Sequence, residues 1–186
     1  GCQKWAELLN QTGLFDVTVY NNSQLGNVVD VLDRLIDGDV IAEAVSASDI
    51  ADPLNIPDLK ATMAPFLFDS IDDILTQSDW FAALADQAAS QGVKIVAANL
   101  INGERYFITK KPVAEPADMK GMKIRVPNNT NYINTFTAFG CAPTPMAATE
   151  IYTSLQTSVV DGMAHPLPDC LANGYYEIAK YISNQD

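Results

Sequence analysis

Short apolar stretches with strand-like patterning alternate with longer stretches of helical periodicity along this sequence. Alternating apolar residues at 15–20 and apolar runs at 40–45 and 93–98 are typical of strands. Residues 25–36 and 79–91 instead carry apolar side chains at helical spacing. Strands separated by segments of helical length pair in parallel. The pattern therefore predicts an α/β fold, with a largely parallel sheet covered on both faces.

The second part of the chain continues the alternation. The same reasoning predicts strands at 105–109, 122–126, 142–146 and 159–163, and helices at 130–139, 149–157 and 167–173. Asn102-Gly103 lies between two apolar runs, which is a strong signal for a β-hairpin. We therefore expect one antiparallel element, in which 93–98 meets 105–109.

Charge is distributed unevenly along the 186 residues. The net charge is −12, yet residues 1–104 hold 16 acids and 4 bases whereas 105–186 hold 7 of each. An acidic chain repels nucleic acid and anionic membrane surfaces, so we expect neither as a partner. No apolar run has the length of a membrane span, so direct membrane insertion is not expected either. The shift in composition predicts two lobes, 1–104 and 105–186, joined by strands.

The motifs of common catalytic and cofactor sites are absent from the sequence. There is no GxGxxG, phosphate-binding loop or GxSxG. The single histidine, His165, follows Asp161 and precedes Cys170, so an α/β enzyme that uses His165 with either residue is an alternative. The cysteines lack metal-ligand spacing, and a Cys141–Cys170 disulfide stays open. We expect no cofactor, no metal and no catalytic residue.

An arginine near the end of a predicted strand is the best candidate for ligand binding. Arg125 is the last but one residue of the predicted 122–126 strand, and Asn128 follows at the start of a predicted helix. Ligands of open α/β sheets bind beyond the carboxyl ends of the strands. A guanidinium group there can bind a carboxylate through two parallel hydrogen bonds, and the helix start adds a favourable dipole. A surface arginine paired with an acid is the other interpretation.

Several short motifs follow one another along the whole chain in a particular order. They include Pro65-Phe-Leu-Phe68, Asn102-Gly-Glu-Arg-Tyr106, Asp118-Met-Lys-Gly-Met-Lys-Ile-Arg-Val-Pro127, Gly140-Cys-Ala-Pro-Thr-Pro-Met146 and Val160-Asp-Gly162. Together they resemble the substrate-binding proteins of tripartite ATP-independent periplasmic (TRAP) transporters, of the dicarboxylate-binding type. The resemblance implies a two-lobed periplasmic-binding-protein-like fold (type II). It also implies a bacterial periplasmic protein, not an enzyme, that captures a small organic acid between its lobes and delivers it to a TRAP membrane permease.

The resemblance also implies which residues contact the ligand. Arg125 matches the arginine that forms the main salt bridge to the ligand carboxylate, and Arg105 matches a second ligand arginine. His165 and Ala148 depart from the family, which has an asparagine and an aromatic residue at these positions. A histidine facing the carboxylate would raise affinity as the pH falls through about 6.5. The full set of expected ligand-binding positions is Arg125, Arg105, Asn128, His165, Ser46 and Ala148.

Family chains are usually much longer than this one. The match implies that the chain begins inside the first helix, without the first strand, and stops before the C-terminal helices. We therefore expect a fold that is incomplete at both ends. A binding protein of another uptake system is the remaining alternative function.

Overall fold

The computed structural model describes residues 2–21, 23–65, 67–101 and 103–183. Its α-helices and strands, in chain order, are α1 (Cys2–Gln11), α2 (Val28–Ile36), α3 (Ile71–Leu75), α4 (Ser78–Ala89), β1 (Arg105–Thr109), β2 (Lys123–Val126), α5 (Thr130–Ala138), β3 (Ala142–Pro145), α6 (Ile151–Gln156), β4 (Gly162–Pro166), α7 (Leu167–Ala172) and β5 (Tyr181–Ser183). Short 3-10 helices lie at Ala47–Asp49, Pro57–Met63, Pro116–Met119, Ala148–Glu150 and Tyr175–Glu177. The predicted α/β class is confirmed.

A five-stranded sheet organises the chain from residue 105 onward, with the strand order β3-β2-β4-β1-β5 in the described residues. β2 pairs in parallel with β3 and with β4, because α5 and α6 lie in the connections between these strands. β1 pairs antiparallel with β4 on one side and with β5 on the other. The sheet is therefore mixed, rather than largely parallel as predicted.

The three strands predicted before residue 105 are wrong. Residues 15–20, 40–45 and 93–98 are irregular and form no ladder within the described chain. An apolar run becomes a strand only where a neighbouring strand accepts and donates its backbone hydrogen bonds, and local pattern cannot supply that neighbour. The predicted hairpin is also wrong, since both edges of β1 pair with β4 and β5. Asn102 itself lies outside the described residues.

Two apolar clusters cover the opposite faces of the sheet. Consecutive strand residues point to opposite faces, so Phe107 joins one cluster and Ile108 the other. The first sheet cluster packs against α5 through Phe136, and the second packs against α6 through Leu155. The prediction that helices cover both faces is therefore confirmed. A third cluster, built from residues 32–93, includes Leu54 and Leu84.

The beginning of α5 contacts the part of the chain before residue 105. The buried Asn129 side chain donates from Nδ2 to the carbonyl oxygen of Ser48 at 2.9 Å. Asn131 donates in the same way to the carbonyl oxygen of Lys60 at 2.8 Å. The Lys60 ammonium in turn donates to the hydroxyl of Thr130 at 3.0 Å. These side-chain bonds hold the 48–60 region against the carboxyl end of β2.

The three cysteines are free thiols. Cys141 belongs to the sheet cluster on the α5 face and Cys170 to the cluster on the α6 face. The sheet separates them, so the disulfide left open by the sequence does not form.

Candidate ligand-binding site

The carboxyl ends of β2 and β4 meet the start of β1 at one edge of the sheet. The strand register pairs Arg105 with Pro166, and Arg125 with Met163. Both arginines and His165 of β4 therefore lie at the same edge. α5 begins just beyond it, with its N-terminal N–H groups at the carboxyl end of β2. This is the place where ligands of α/β sheets bind, and the helix start favours an anion there.

Arg125 is buried at this edge, with 5% of its surface exposed. It donates from Nε at 3.2 Å and from Nη2 at 2.8 Å to the carbonyl oxygen of Met146. These two groups form one side of the guanidinium, so its Nη1–Nη2 edge can still bind a carboxylate through two parallel bonds. Burial and the charge of Arg105 lower the pKa of Arg125 to about 10, which leaves it cationic at neutral pH.

Arg105 is fixed by a carbonyl oxygen and an aromatic ring. It donates from Nη1 to the carbonyl oxygen of Ala164 at 2.9 Å. Its Cζ lies 4.9 Å from the centroid of the Tyr132 ring, a cation–π contact. Tyr132 is itself buried, and burial raises its pKa to about 12, so the ring stays neutral beside the cation. The site therefore holds two positioned guanidinium groups close enough to repel each other.

His165 lies beside the two arginines, with 9% of its surface exposed. Burial, together with the charges of Arg105 and Arg125, lowers its pKa to about 4, although Asp169 acts in the opposite direction. The imidazole is therefore neutral near pH 6.5 in this structure, and the dependence of ligand affinity on pH stays a prediction. Its Nδ1 lies 3.5 Å from Asp169 Oδ2 but has no hydrogen-bond partner among the described residues.

A carboxylate from the other part of the chain also reaches this cluster. Asp49 ends the 3-10 helix Ala47–Asp49, next to the Ser48 carbonyl that Asn129 binds. Burial raises the pKa of Asp49, while the charges of Arg105 and Arg125 and hydrogen bonding by Asn129 pull it down. Asp49 thus lies within the electrostatic reach of both guanidinium groups.

The comparisons with known proteins identify the family. A family model described as "Bacterial extracellular solute-binding protein, family 7" (DctP) matches residues 1–186. The chain belongs to this family. Family 7 proteins are periplasmic solute-binding proteins, so the predicted resemblance is confirmed.

Solved structures of similar proteins carry bound sugar acids. A TRAP periplasmic solute-binding protein from Ochrobacterium anthropi with bound L-fuconate is 34% identical, with a TM-score of 0.91 over 98% of this chain and 62% of that one. Another, from Actinobacillus succinogenes with bound L-galactonate, is 31% identical, with a TM-score of 0.85 over 96% of this chain and 60% of that one. These matches confirm the two-lobed α/β fold.

A curated relative is named for a different ligand class. The C4-dicarboxylate-binding periplasmic protein DctP of Rhodobacter capsulatus is 29% identical over 187 residues, which cover 98% of this chain and 56% of the relative. The chain spans about half the length of the curated relatives it matches. The ligands named for these family 7 relatives therefore include both sugar acids and C4-dicarboxylates.

Among the described residues, the other three expected ligand positions make no hydrogen bond with Arg105, Arg125 or His165. Asn128 is exposed, whereas the next residue, Asn129, is the buried one. Ser46 is half-buried, with its hydroxyl 3.1 Å from that of Ser48. Ala148 is exposed, and its carbonyl oxygen accepts a 3.3 Å bond from the Tyr175 hydroxyl. Their contacts with ligand stay predictions.

The sequence reasoning missed four residues of the site, namely Asp49, Asn129, Tyr132 and Tyr175, whose ring centroid lies 5.8 Å from that of His165. Asn129 carried a signal, because an asparagine just before a helix is a preferred N-cap, and its Oδ1 accepts from the Asn131 N–H at 2.9 Å. Asp49 lies in a long proline-containing segment without periodicity, so nothing in the local sequence singles it out.

The geometry does not support the enzymatic pairings weighed from the sequence. Asp161 precedes the first residue of β4, and its Oδ2 accepts from the Lys123 N–H at 2.9 Å. His165 lies four residues on along the strand, about 13 Å away. The thiol of Cys170 is protonated at neutral pH, because burial and Asp169 raise its pKa to about 11.

Neither a membrane-spanning helix nor a metal-binding cluster occurs in residues 2–21, 23–65, 67–101 and 103–183. Across those ranges, no helix is both long and apolar enough to cross a membrane. Within the same ranges, no group of three or more histidine, cysteine, aspartate or glutamate side chains is arranged to hold a metal ion.

Proposed function

We propose that this protein binds a small organic acid in a cleft between a first lobe, residues 1–104, and a second lobe, residues 105–186, and delivers it to a TRAP permease in the bacterial periplasm. The observation that carries the proposal is a pair of guanidinium groups at the carboxyl edge of the sheet, of which Arg125 is buried and Arg105 is half-buried. Two neighbouring cations that are largely withdrawn from water are costly unless an anion compensates them.

The bonds already made by the arginines support a carboxylate as that anion. The carbonyl oxygens of Met146 and Ala164 orient the two guanidinium groups without neutralising their charge. The Nη1–Nη2 edge of Arg125 offers two parallel donors, which match the two oxygens of a carboxylate. The sugar acids held by the similar L-fuconate and L-galactonate complexes belong to this chemical class.

Binding then couples to the contact between the lobes. The ligand carboxylate binds to Arg125, Arg105 contributes a second positive charge, and the neutral His165 hydrogen-bonds a hydroxyl. Asn129 ties the first lobe to the start of α5 through the Ser48 carbonyl. Closure by a hinge motion excludes water from the ion pair and presents a closed form to the permease.

A thermal-shift screen with three variants tests this function. The panel consists of aldonates, uronates and C4-dicarboxylates, because a ligand that binds only the folded state raises the melting temperature. We expect at least one acid to stabilise the wild type and Lys123→Ala, whose exposed side chain lies on the same strand. Arg125→Ala should lose the shift, since truncating one partner of a buried charge pair costs about 2–5 kcal/mol, or about 30- to several-thousand-fold in affinity.

Arg125→Lys should fail to restore binding, because an ammonium group cannot form the two parallel bonds. A shift in Arg125→Ala equal to that of the wild type would contradict the proposed role of this residue. If no acid in the panel stabilises the wild type, the proposed function itself fails.

A further inference from the structure

The charge of the ligand site is set by side chains from both parts of the chain. Arg105 and Arg125 come from the sheet edge, and both act electrostatically on Asp49. Asp49 acts in return on Arg125 and Tyr132. Asp169 faces the other side of the cluster, where it acts on His165, Tyr175 and the Cys170 thiol.

The backbone around Asp49 is fixed at this position. Its own N–H donates to the Ser46 carbonyl oxygen at 3.0 Å, which forms the 3-10 turn. The carbonyl oxygen of the preceding residue, Ser48, accepts the 2.9 Å bond from the buried Asn129 side chain. Since Asn129 caps the helix that follows Arg125 and β2, this bond holds residue 49 next to the carboxyl end of β2. Asp49 is thus a built part of the site rather than a freely moving surface charge.

We propose that Asp49 is a specificity-determining residue that makes this site select hydroxylated monocarboxylates over dicarboxylates. Arg105, Arg125 and Asp49 together carry a single positive charge, which one ligand carboxylate neutralises, whereas Asp169 acts on His165 at the other side of the cluster. A ligand hydroxyl can donate a hydrogen bond to Asp49. A second ligand carboxylate in the same place would instead meet a like charge, and such juxtaposition is strongly unfavourable in a buried site. The inference rests on the proposed function of the site.

Matched pairs of acids test this inference by calorimetry on the purified protein. Galactonate and galactarate, and gluconate and glucarate, share a carbon chain and hydroxyl pattern and differ by the second terminal carboxylate. We expect the wild type to bind the better aldonate at least about tenfold more tightly than its aldarate, since tenfold corresponds to about 1.4 kcal/mol of discrimination. Asp49→Asn keeps the size of the side chain and removes its charge, so it should bring this ratio close to one.

Two further variants separate a local effect from a change in net charge. Asp58→Asn removes the same charge from an exposed side chain of the first lobe and should leave the ratio unchanged. Asp49→Glu keeps the charge and should retain the preference for the aldonate. Thermal unfolding of each variant verifies that it is folded before the titration.

The outcomes distinguish this inference from the proposed function. If aldonate and aldarate bind and Asp49→Asn leaves their ratio unchanged, the specificity role is overturned and the binding function stands. A wild type that prefers the aldarate also overturns the specificity role alone. If neither class of acid binds the wild type, the proposed function fails and the inference fails with it.

Discussion

Replacing Asn129 with alanine should destabilise the protein more than a surface substitution of the same size. Asn129 is 3% exposed, and both ends of its side-chain amide are hydrogen-bonded. Its Oδ1 caps α5 through the Asn131 N–H, and its Nδ2 binds the Ser48 carbonyl oxygen, each at 2.9 Å. Losing the cap costs about 1 kcal/mol. Losing the donor to a buried carbonyl costs about 1–3 kcal/mol.

The Ser48 carbonyl keeps a longer 3.4 Å bond from the Ala51 N–H, which places the second cost toward the lower end of its range. We therefore expect Asn129→Ala to reduce the free energy of unfolding by about 2–3 kcal/mol. Urea denaturation followed by circular dichroism measures this change. Asn129→Ser keeps a capping hydroxyl but is too short to reach the Ser48 carbonyl, so it should lose about 1–2 kcal/mol.

Asn128→Ala provides the matched control, because Asn128 is exposed and neighbours Asn129 in the chain. Its free energy of unfolding should stay within about 0.5 kcal/mol of the wild type. A serine variant as stable as the wild type would refute the bond between Asn129 and Ser48 as a stabilising contact. An alanine variant within the same margin would refute both contributions.

Two other predictions concern β4. Gly162→Ala should cost about 1–3 kcal/mol by urea denaturation, because the added Cβ would lie 2.6 Å from the Ile108 carbonyl oxygen; an unchanged midpoint would contradict this close packing. His165 has its pKa lowered from 6.5 to about 4, so the unfolded chain binds more protons between these values and stability is lost as the pH falls through this window. The wild type should therefore lose about 1–2 kcal/mol more than His165→Asn between pH 7 and pH 5, and equal losses would show that the ring is not buried in its neutral form.

The region around Arg125 was predictable because its signals are local. The apolar pattern of residues 122–126, the following proline and the asparagine-rich helix start predict β2 and α5, and both form within a few residues of the expected bounds. The alternation along β2 also buries Ile124 and Val126 on one face, which leaves Arg125 to the other. The order and spacing of the sequence motifs indicated the protein family.

The predictions that were wrong or missing concern residues whose structure depends on partners distant in sequence. Residues 40–45 have a strand-like composition, yet no strand of the described chain pairs with them. The neutral state of His165 arises from burial and from arginines 40 and 60 residues earlier in the chain. Asp49 joins the site through a bond made by its neighbour Ser48 to Asn129, which no local pattern reveals.

The crystal structure of a complex with the organic acid that binds most tightly tests the central claim most directly. We predict that both oxygens of the ligand carboxylate lie within hydrogen-bond distance of the Nη1–Nη2 edge of Arg125, while Nε and Nη2 keep their bonds to the Met146 carbonyl oxygen. A carboxylate bound away from Arg125, or a ligand whose hydroxyls alone contact this guanidinium, would contradict the account.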